Sequence, residues 1–434
     1  MKNMLTPNLT VSPEGHLCIG GADTVQLAKT HGTPLYVLDE QMIRENCRGF
    51  ASVIAAEYGG RGLICYASKA LSCKELYRIV DSEGFGADVI SGGELYTALQ
   101  AGMPAEKIVM HGNSKSDTEL QMAVTHGVGR IVADHLPELE RLNRIAGASG
   151  KKVRVMLRVK PGVDAHTHDF VRTGQIDSKF GFALETGEAL EAVKAASAYP
   201  NLELVGLHCH IGSQIFETEP FAEAARVMIA FMQKVRAELN LTLPELNLGG
   251  GPGIKYTEQD DPKPFGEIVR SILAAVREAC AAAAYPEPFI LFEPGRSIVG
   301  GAGITLYTVM AKKVIPNIRT YVLVDGGMCD NPRYALYHSE YEALLANKAG
   351  QPRSETVTIG GKCCESGDLI GENMPLQAAE PGDIAAVLAT GAYNYSMASN
   401  YNRNPRAEIV MVRDGQARTI VKRETYEDIV RNDI

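Results

Sequence analysis

The chain's 434 residues predict an α/β domain, a (β/α)8 barrel, followed by an all-β domain of antiparallel strands. Three observations carry this reading. Apolar runs closed by polar or glycine-rich turns recur eight times between Leu63 and Glu293, and amphipathic stretches of helical period lie between them. Beyond Arg296 the texture changes to Val, Ile, Thr and Tyr in alternation or short runs, punctuated by Pro-Gly, Gly-Asp and Asp-Gly turns, the pattern of antiparallel strands. An open doubly wound sheet also alternates strand and helix, but it seldom has eight units, and no Gly-x-Gly-x-x-Gly opens the first one.

In chain order, residues 1–34 are turn-rich, with Gly20-Gly21 and Gly32 as breaks, and a strand is expected at 34–38. Asp39 then caps a helical pattern reaching Tyr58. Barrel strands are expected at 63–68, 86–91, 107–111, 130–133, 153–159, 204–210, 245–249 and 289–293. Helices are expected at 71–80, 92–101, 116–126, 136–146, 188–198, 220–239 and 265–284. Strands of the second domain fall in 300–325, 355–360, 383–390 and 407–421, whereas 333–348 and 426–430 read as helical. The first residues have no barrel role and are expected to add a strand to this β domain. The domains are therefore 36–299 for the barrel, and 1–35 with 300–434 for the β domain.

Bulk properties exclude several classes. A formal charge of -9 offers no basic surface for nucleic acid, and no window holds 18 apolar residues without charge. Nine cysteines, an odd number with no C-x-x-C pair, point to reduced thiols rather than a disulfide framework or structural zinc. The first twenty residues lack the apolar core of a signal peptide, so a cytoplasmic location is expected.

A barrel gathers the residues that follow its strands at one face. Those residues are Lys69, Asp88, His111, Asp134, Arg158, His210, Gly249-Gly250-Gly251 and Glu293-Pro294-Gly295-Arg296. A lysine at a strand end suits Schiff-base chemistry when desolvated, or is salt-bridged. The glycine triplet after the seventh run either cradles a phosphate or makes a tight turn. Glu293 either pairs with an arginine or helix or, if the phosphate beside it belongs to a pyridoxal cofactor, holds that ring's nitrogen protonated. His208 and His210 share one side of their strand, and could be a metal pair lacking a third ligand at metal spacing, satisfied barrel histidines, or a ring stacked on a planar cofactor. In Cys363-Cys364 one thiol is expected to face solvent and the other to pack. Loops 325–333 and 391–396 place glycines and polar groups where ligands or interfaces bind.

These pieces, in this order, resemble the pyridoxal-phosphate decarboxylases of the alanine-racemase-like fold, and among them the diaminopimelate decarboxylases. The motifs are Tyr66-Ala67-Ser68-Lys69-Ala70, Gly86-Ala87-Asp88-Val89-Ile90-Ser91-Gly92-Gly93-Glu94, His111-Gly112-Asn113, His208-Cys209-His210-Ile211-Gly212-Ser213-Gln214, Gly249-Gly250-Gly251, Glu293-Pro294-Gly295-Arg296, Cys364-Glu365-Ser366 and Tyr393. The likeness runs from Tyr36 to Tyr401.

The resemblance implies that Lys69 carries pyridoxal 5'-phosphate, that His210 stacks on its ring and that Glu293 pairs with the pyridine nitrogen. Ser213, Gly250, Gly295, Arg296 and Tyr393 would hold the phosphate, with Asp88, His111 and Arg158 also at the cofactor. Arg296, Arg333, Tyr337, Glu365 and Tyr393 would bind substrate. Cys364, the implied proton donor, and Glu365 would reach the site of a partner subunit, making a homodimer with shared sites. No metal is implied. The implied reaction is decarboxylation of meso-2,6-diaminopimelate to L-lysine. Arg296 and Arg333 would meet the distal carboxylate that ornithine and lysine lack. The alternative is a decarboxylase of another basic amino acid, ornithine, arginine or D-lysine, in which Asp330 would take the distal ammonium. Non-catalytic regulators of this fold commonly lose the lysine or the cysteine, and here Lys69, Cys364 and Glu293 are all present. Lys362 and Asn394 depart from the usual pattern and are read as tolerated. Residues 166–174, leading to Lys179-Phe180-Gly181, are a candidate lid.

Overall fold

Strands covered on both faces need apolar side chains on both, and those covered by helices outside a barrel meet that condition. Eight such runs form the strands β1 (Gly62–Ala67), β2 (Gly86–Val89), β3 (Ile108–Met110), β4 (Arg130–Ala133), β5 (Val153–Lys160), β6 (Leu202–His208), β7 (Glu245–Asn247) and β8 (Phe289–Phe292). The computed structural model describes residues 5–163 and 178–434. The candidate lid at 166–174 lies outside them. Every barrel strand pairs in parallel with the next, and β8 pairs with β1 to close the barrel. Phe182–Ala183 adds a short strand beside β5.

Because side chains alternate along a strand, the closed register stacks the interior in layers. Cys65, Val109, Val132, Met156, Val205 and Leu291 form a buried apolar layer. Two residues earlier in their strands lie Arg130 and Arg154, both bonded to Glu245 of β7; Glu245 receives Arg130 at 2.6 and 2.8 Å. Two residues later lie His111, Asp134, Arg158 and Glu293. The apolar layer thus separates a charge-paired floor from a polar mouth.

The loops at the mouth are fixed by their own polar and charged side chains. Ser116 and Glu119 form a capping box on the helix Asp117–His126, and Glu119 also accepts from Gly92 N at 2.7 Å. Lys115 donates to the Gly112 and Val132 carbonyls at 2.7 and 2.8 Å and to Glu138 Oε1 at 2.5 Å. All three ammonium protons are therefore placed, and the loop carrying His111 is tied to the helix Leu136–Ala148.

The chain divides into a unit of residues 46–253 and 262–297, containing the barrel, and a unit of residues 1–45, 254–261 and 298–434. In the second, the long strand Gly303–Ile315 pairs with Arg319–Val324, Leu35–Asp39 and Ile384–Val387. Leu35–Asp39, expected within the barrel domain, belongs to this sheet, where it also pairs in parallel with Glu408–Arg413. Arg319–Val324 and Glu355–Gly360 are parallel too, so the sheet is mixed rather than antiparallel throughout. The first residues form their own three-stranded sheet of Leu9–Val11, Leu17–Ile19 and Ala22–Asp23. The helix expected at 333–348 covers only Arg333–Tyr337. His338 takes φ 51°, which ends it, and Ala343–Leu345 pairs with Ile384–Val387 as a strand. Leu369–Leu376 is a strand that the sequence hid behind Gly371, Asn373 and Pro375.

Lys115→Met would leave Glu138 charged in a fully buried site. A loss of about 3–5 kcal/mol is expected, read from the shift in the denaturant midpoint of the barrel. Adding Glu138→Leu should recover most of it, and a double variant no more stable than the single would contradict this account.

Candidate active site

Glu293 follows β8 and enters the barrel mouth with 7% of its surface exposed. Burial alone would raise its carboxyl pKa, but His111 and His208 outweigh that cost and hold it well below the usual carboxylate range. The contacts are short: Oε1 accepts from His111 Nε2 at 2.6 Å and Asn247 Nδ2 at 2.6 Å, and Oε2 from His208 Nε2 at 3.1 Å. The imidazole rings of His111 and His208 meet edge to face at 4.6 Å. Burial pushes His208 down to about 3, so it is a neutral donor. Its partner is thus Glu293, not His210 with which the sequence grouped it, and the ligand atoms of His111, His208 and Glu293 lie within 4.8 Å of one another.

Lys69 sits in the turn Ser68–Ala70 after β1, half-buried, and its charge acts on Asp88, Glu94 and His210. Among the described residues no hydrogen bond or ion pair engages its ammonium. Ser68 Oγ contacts the Asp88 carbonyl at 2.5 Å and Glu94 at 3.1 Å, fixing the turn that aims the lysine. Burial, with Lys69 and Arg158 adding to it, lowers His210 well below its ordinary value, leaving a neutral ring. Arg158 lies over the Phe180 ring at 4.2 Å, and burial lowers its pKa.

The loops after β6, β7 and β8 converge on the glycine triplet. A Cβ on Gly249 would stand 2.6 Å from the Cys209 carbonyl and 3.0 Å from His210 Nδ1, and one on Gly250 would strike the Glu293 carbonyl. Glycine is required here by backbone approach, whatever binds. Arg296 Nε and Nη2 donate to Ser213 Oγ at 3.2 and 3.0 Å, joining two of the expected phosphate residues. A cation, a hydroxyl and glycine backbone form a donor set suited to a phosphate. An available amine, a buried ionised carboxylate and the buried Asp88 Oδ1, His208 Nδ1 and Ser297 Oγ, none of which has a hydrogen-bond partner among the described residues, complete a site that fits pyridoxal phosphate.

In the other unit, the Arg333 guanidinium carbon lies 5.2 Å from the Tyr337 ring and 5.4 Å from the Tyr393 ring, so three expected substrate residues form one cluster. Arg333 Nε is buried without a hydrogen-bond partner. Tyr393 holds φ 64°, and beneath it the buried Asn394 Oδ1 accepts from Tyr341 at 3.2 Å. Asp330 is buried and turned back towards Gly327 N at 3.3 Å, with burial pushing it up to about 7. That carboxyl is spent within its own loop. Cys364 and Glu365 are exposed on this chain, whereas Cys363 is buried, its N–H bonded to Asp368 at 2.6 Å. Lys362 is exposed, with its N–H bonded to the Gly326 carbonyl at 2.8 Å.

Sequence reasoning missed Asn247 and the bond between His208 and Glu293, and gave Glu94, though part of a motif, no role. The period-2 alternation from Glu245 places Asn247 inside the barrel and could have found it.

A model of the pyridoxal-dependent decarboxylase family, pyridoxal binding domain, matches residues 40–300. The chain is 50% identical to the diaminopimelate decarboxylase of Bacillus methanolicus over 95% of this chain and 96% of that one. With that of Bacillus subtilis (strain 168) the identity is 48%, covering 97% and 95%. The crystal structure of a diaminopimelate decarboxylase from M. jannaschii in complex with L-lysine superposes with a TM-score of 0.91 at 32% identity, covering 100% of this chain and 99% of that one.

Asp88 offers a pH test. Burial first, and then Glu293, raise its carboxyl from 3.8 to about 7 against the opposing pull of His111 and Lys69. The folded protein then keeps a proton that the unfolded chain has released, so the Asp88 contribution to stability should fall as pH rises from 3.8 to about 7. The buried neutral His208 and His210 slope the opposite way, so the contribution is read as a difference: in protein freed of small molecules, the thermal stability of Asp88→Asn relative to wild type should rise with pH across that window. An equal slope in the variant would contradict the assignment.

Proposed function

The chain belongs to the pyridoxal-dependent decarboxylases and, within them, to the diaminopimelate decarboxylases, and from this we propose how its residues divide the work. It decarboxylates meso-2,6-diaminopimelate to L-lysine and carbon dioxide, the last step of lysine biosynthesis. The observation that carries the reading is Glu293, a buried carboxylate kept ionised at the end of β8 in the same barrel mouth as Lys69.

Pyridoxal phosphate, when bound, supplies the electron sink that accepts the pair left by departing carbon dioxide. Lys69 would carry it, His210 would stack on it and Glu293 would pair with its ring nitrogen, close to Asp88, His111 and Arg158. Ser213, Gly250, Gly295, Arg296 and Tyr393 would hold its phosphate. An ionised Glu293 favours a protonated ring and hence the stronger sink, which suits decarboxylation. His210, neutral because of its burial, presents an uncharged face for stacking.

Substrate recognition is a matter of paired charge. Arg333, framed by Tyr337 and Tyr393, has a buried Nε open to a carboxylate, and Arg296 offers a second guanidinium. Since Asp330 is buried in its own loop, a carboxylate partner for a distal ammonium is not offered there. Cys364 would deliver the proton that replaces the lost carboxylate at Cα, and Glu365 would contact the substrate, both from the partner subunit of a homodimer. Their exposure on the single chain supports that arrangement. Among the described residues no helix is long and apolar enough to cross a membrane, and all nine cysteines are free thiols, in keeping with work in the cytoplasm.

Carbon dioxide release and chiral product analysis with meso-diaminopimelate test the assignment. L-Lysine should form, Lys69→Ala should abolish it, and Cys364→Ala should lower kcat by about 10²-fold or more, the scale of a lost general acid. Release from ornithine, lysine or arginine but not from diaminopimelate would move the enzyme to another substrate.

A further inference from the structure

Asn247 ends β7 with none of its surface exposed, and its side chain is bonded at both ends. Oδ1 accepts from Gly249 N at 2.9 Å, and Nδ2 donates to Glu293 Oε1 at 2.6 Å. The amide has one possible orientation. A backbone N–H can only donate, so Gly249 must face the oxygen, and the NH2 group must then face the carboxylate. Glu293 N donates in turn to the Gly249 carbonyl at 2.8 Å, closing a ring of three hydrogen bonds through Asn247, Gly249 and Glu293. The Asn247 carbonyl also accepts from Cys209 N at 2.9 Å, between His208 at the end of β6 and His210 just after it.

Glu293 has three side-chain donors, but they differ in kind. His111 and His208 each have two ring nitrogens and can exchange tautomer or proton. Asn247 can do neither, so it is the permanent donor to this carboxylate.

We propose that Asn247 is a positioning residue that fixes the Glu293 carboxylate and the glycine loop in one register, so that the ring end and the phosphate end of the cofactor are gripped as a unit. This rests on the reading of the site as a pyridoxal phosphate site. It also accounts for asparagine rather than the isosteric aspartate. Aspartate would keep the Gly249 bond but set a second carboxylate oxygen against Glu293 Oε1, where no proton holds the two together.

The test is a double-variant cycle on the cofactor itself. Holoenzyme is stripped and reloaded with pyridoxal phosphate, and the Kd is read from the visible absorption of the bound cofactor for wild type, Asn247→Asp, Glu293→Gln and the double variant. Asn247→Asp is expected to weaken binding roughly tenfold or more, the scale of a bond to a charged group, and less than about threefold when Glu293→Gln has removed the opposing charge. With diaminopimelate, kcat should fall in Asn247→Asp while KM stays within about twofold, since Asn247 acts through Glu293 and touches no substrate. Equal penalties in the two Glu293 backgrounds would make Asn247 merely structural and overturn the proposal, as would an unchanged Kd. Asn247→Ala in the same two backgrounds carries the same expectation if the aspartate variant fails to fold. Wild-type protein that takes up no pyridoxal phosphate would overturn the reading of the site, and this proposal with it.

Discussion

A carboxylate buried in a barrel must be neutralised or answered by donors, and Glu293 is answered. Three side chains from three strand ends converge on its two oxygens: His111 after β3, His208 at the end of β6 and Asn247 at the end of β7. Only a closed barrel in one register brings those ends together, because a one-residue slip would turn each side chain to the other face. The apolar layer of Cys65, Val109, Val132, Met156, Val205 and Leu291 sets that register from below, and the Glu245 pairing with Arg130 and Arg154 anchors it at the floor. The charge that tunes the chemistry and the packing that closes the barrel are therefore one arrangement.

Much of the barrel was legible because parallel strands announce themselves as apolar runs, and the positions after them had to share a face. Lys69, His210 and Glu293 could be picked out on that ground. Partners across the barrel were harder to read. Nothing in the local sequence of His208 says that its neighbour is Glu293, since alternation gives a residue's face but not what stands opposite. Asn247 was passed over because the adjacent glycines drew the reading towards backbone.

The β-rich unit was read less well, for different reasons. Leu35–Asp39 was expected as a strand outside the eight barrel runs but inside the barrel domain's bounds, because nearness in sequence to the barrel does not give its place in space; it lies between Gly303–Ile315 and Glu408–Arg413. Residues 333–348 have a helical composition, yet His338 in a left-handed conformation stops the helix after Tyr337. That stop sets the length of the helix whose first residue, Arg333, lies against Tyr337 and Tyr393. Asp368 does comparable work between two loops, bonding Met328 N and Cys363 N at 2.5 and 2.6 Å, so the cysteine loop is held from behind while Cys364 projects.

The burial of the cysteines gives the chain a chemical asymmetry. Eight of the nine thiols are buried, and Cys364 alone is exposed. Burial raises the pKa of Cys65, Cys209 and Cys329 and so suppresses their reactive thiolates. To an alkylating agent or a peroxide, the single chain, before a partner covers its cysteine loop, presents a single sulfur. Oxidative injury to the unpaired chain would then be concentrated on the group assigned to proton delivery, and catalytic capacity would be lost while the fold survives intact.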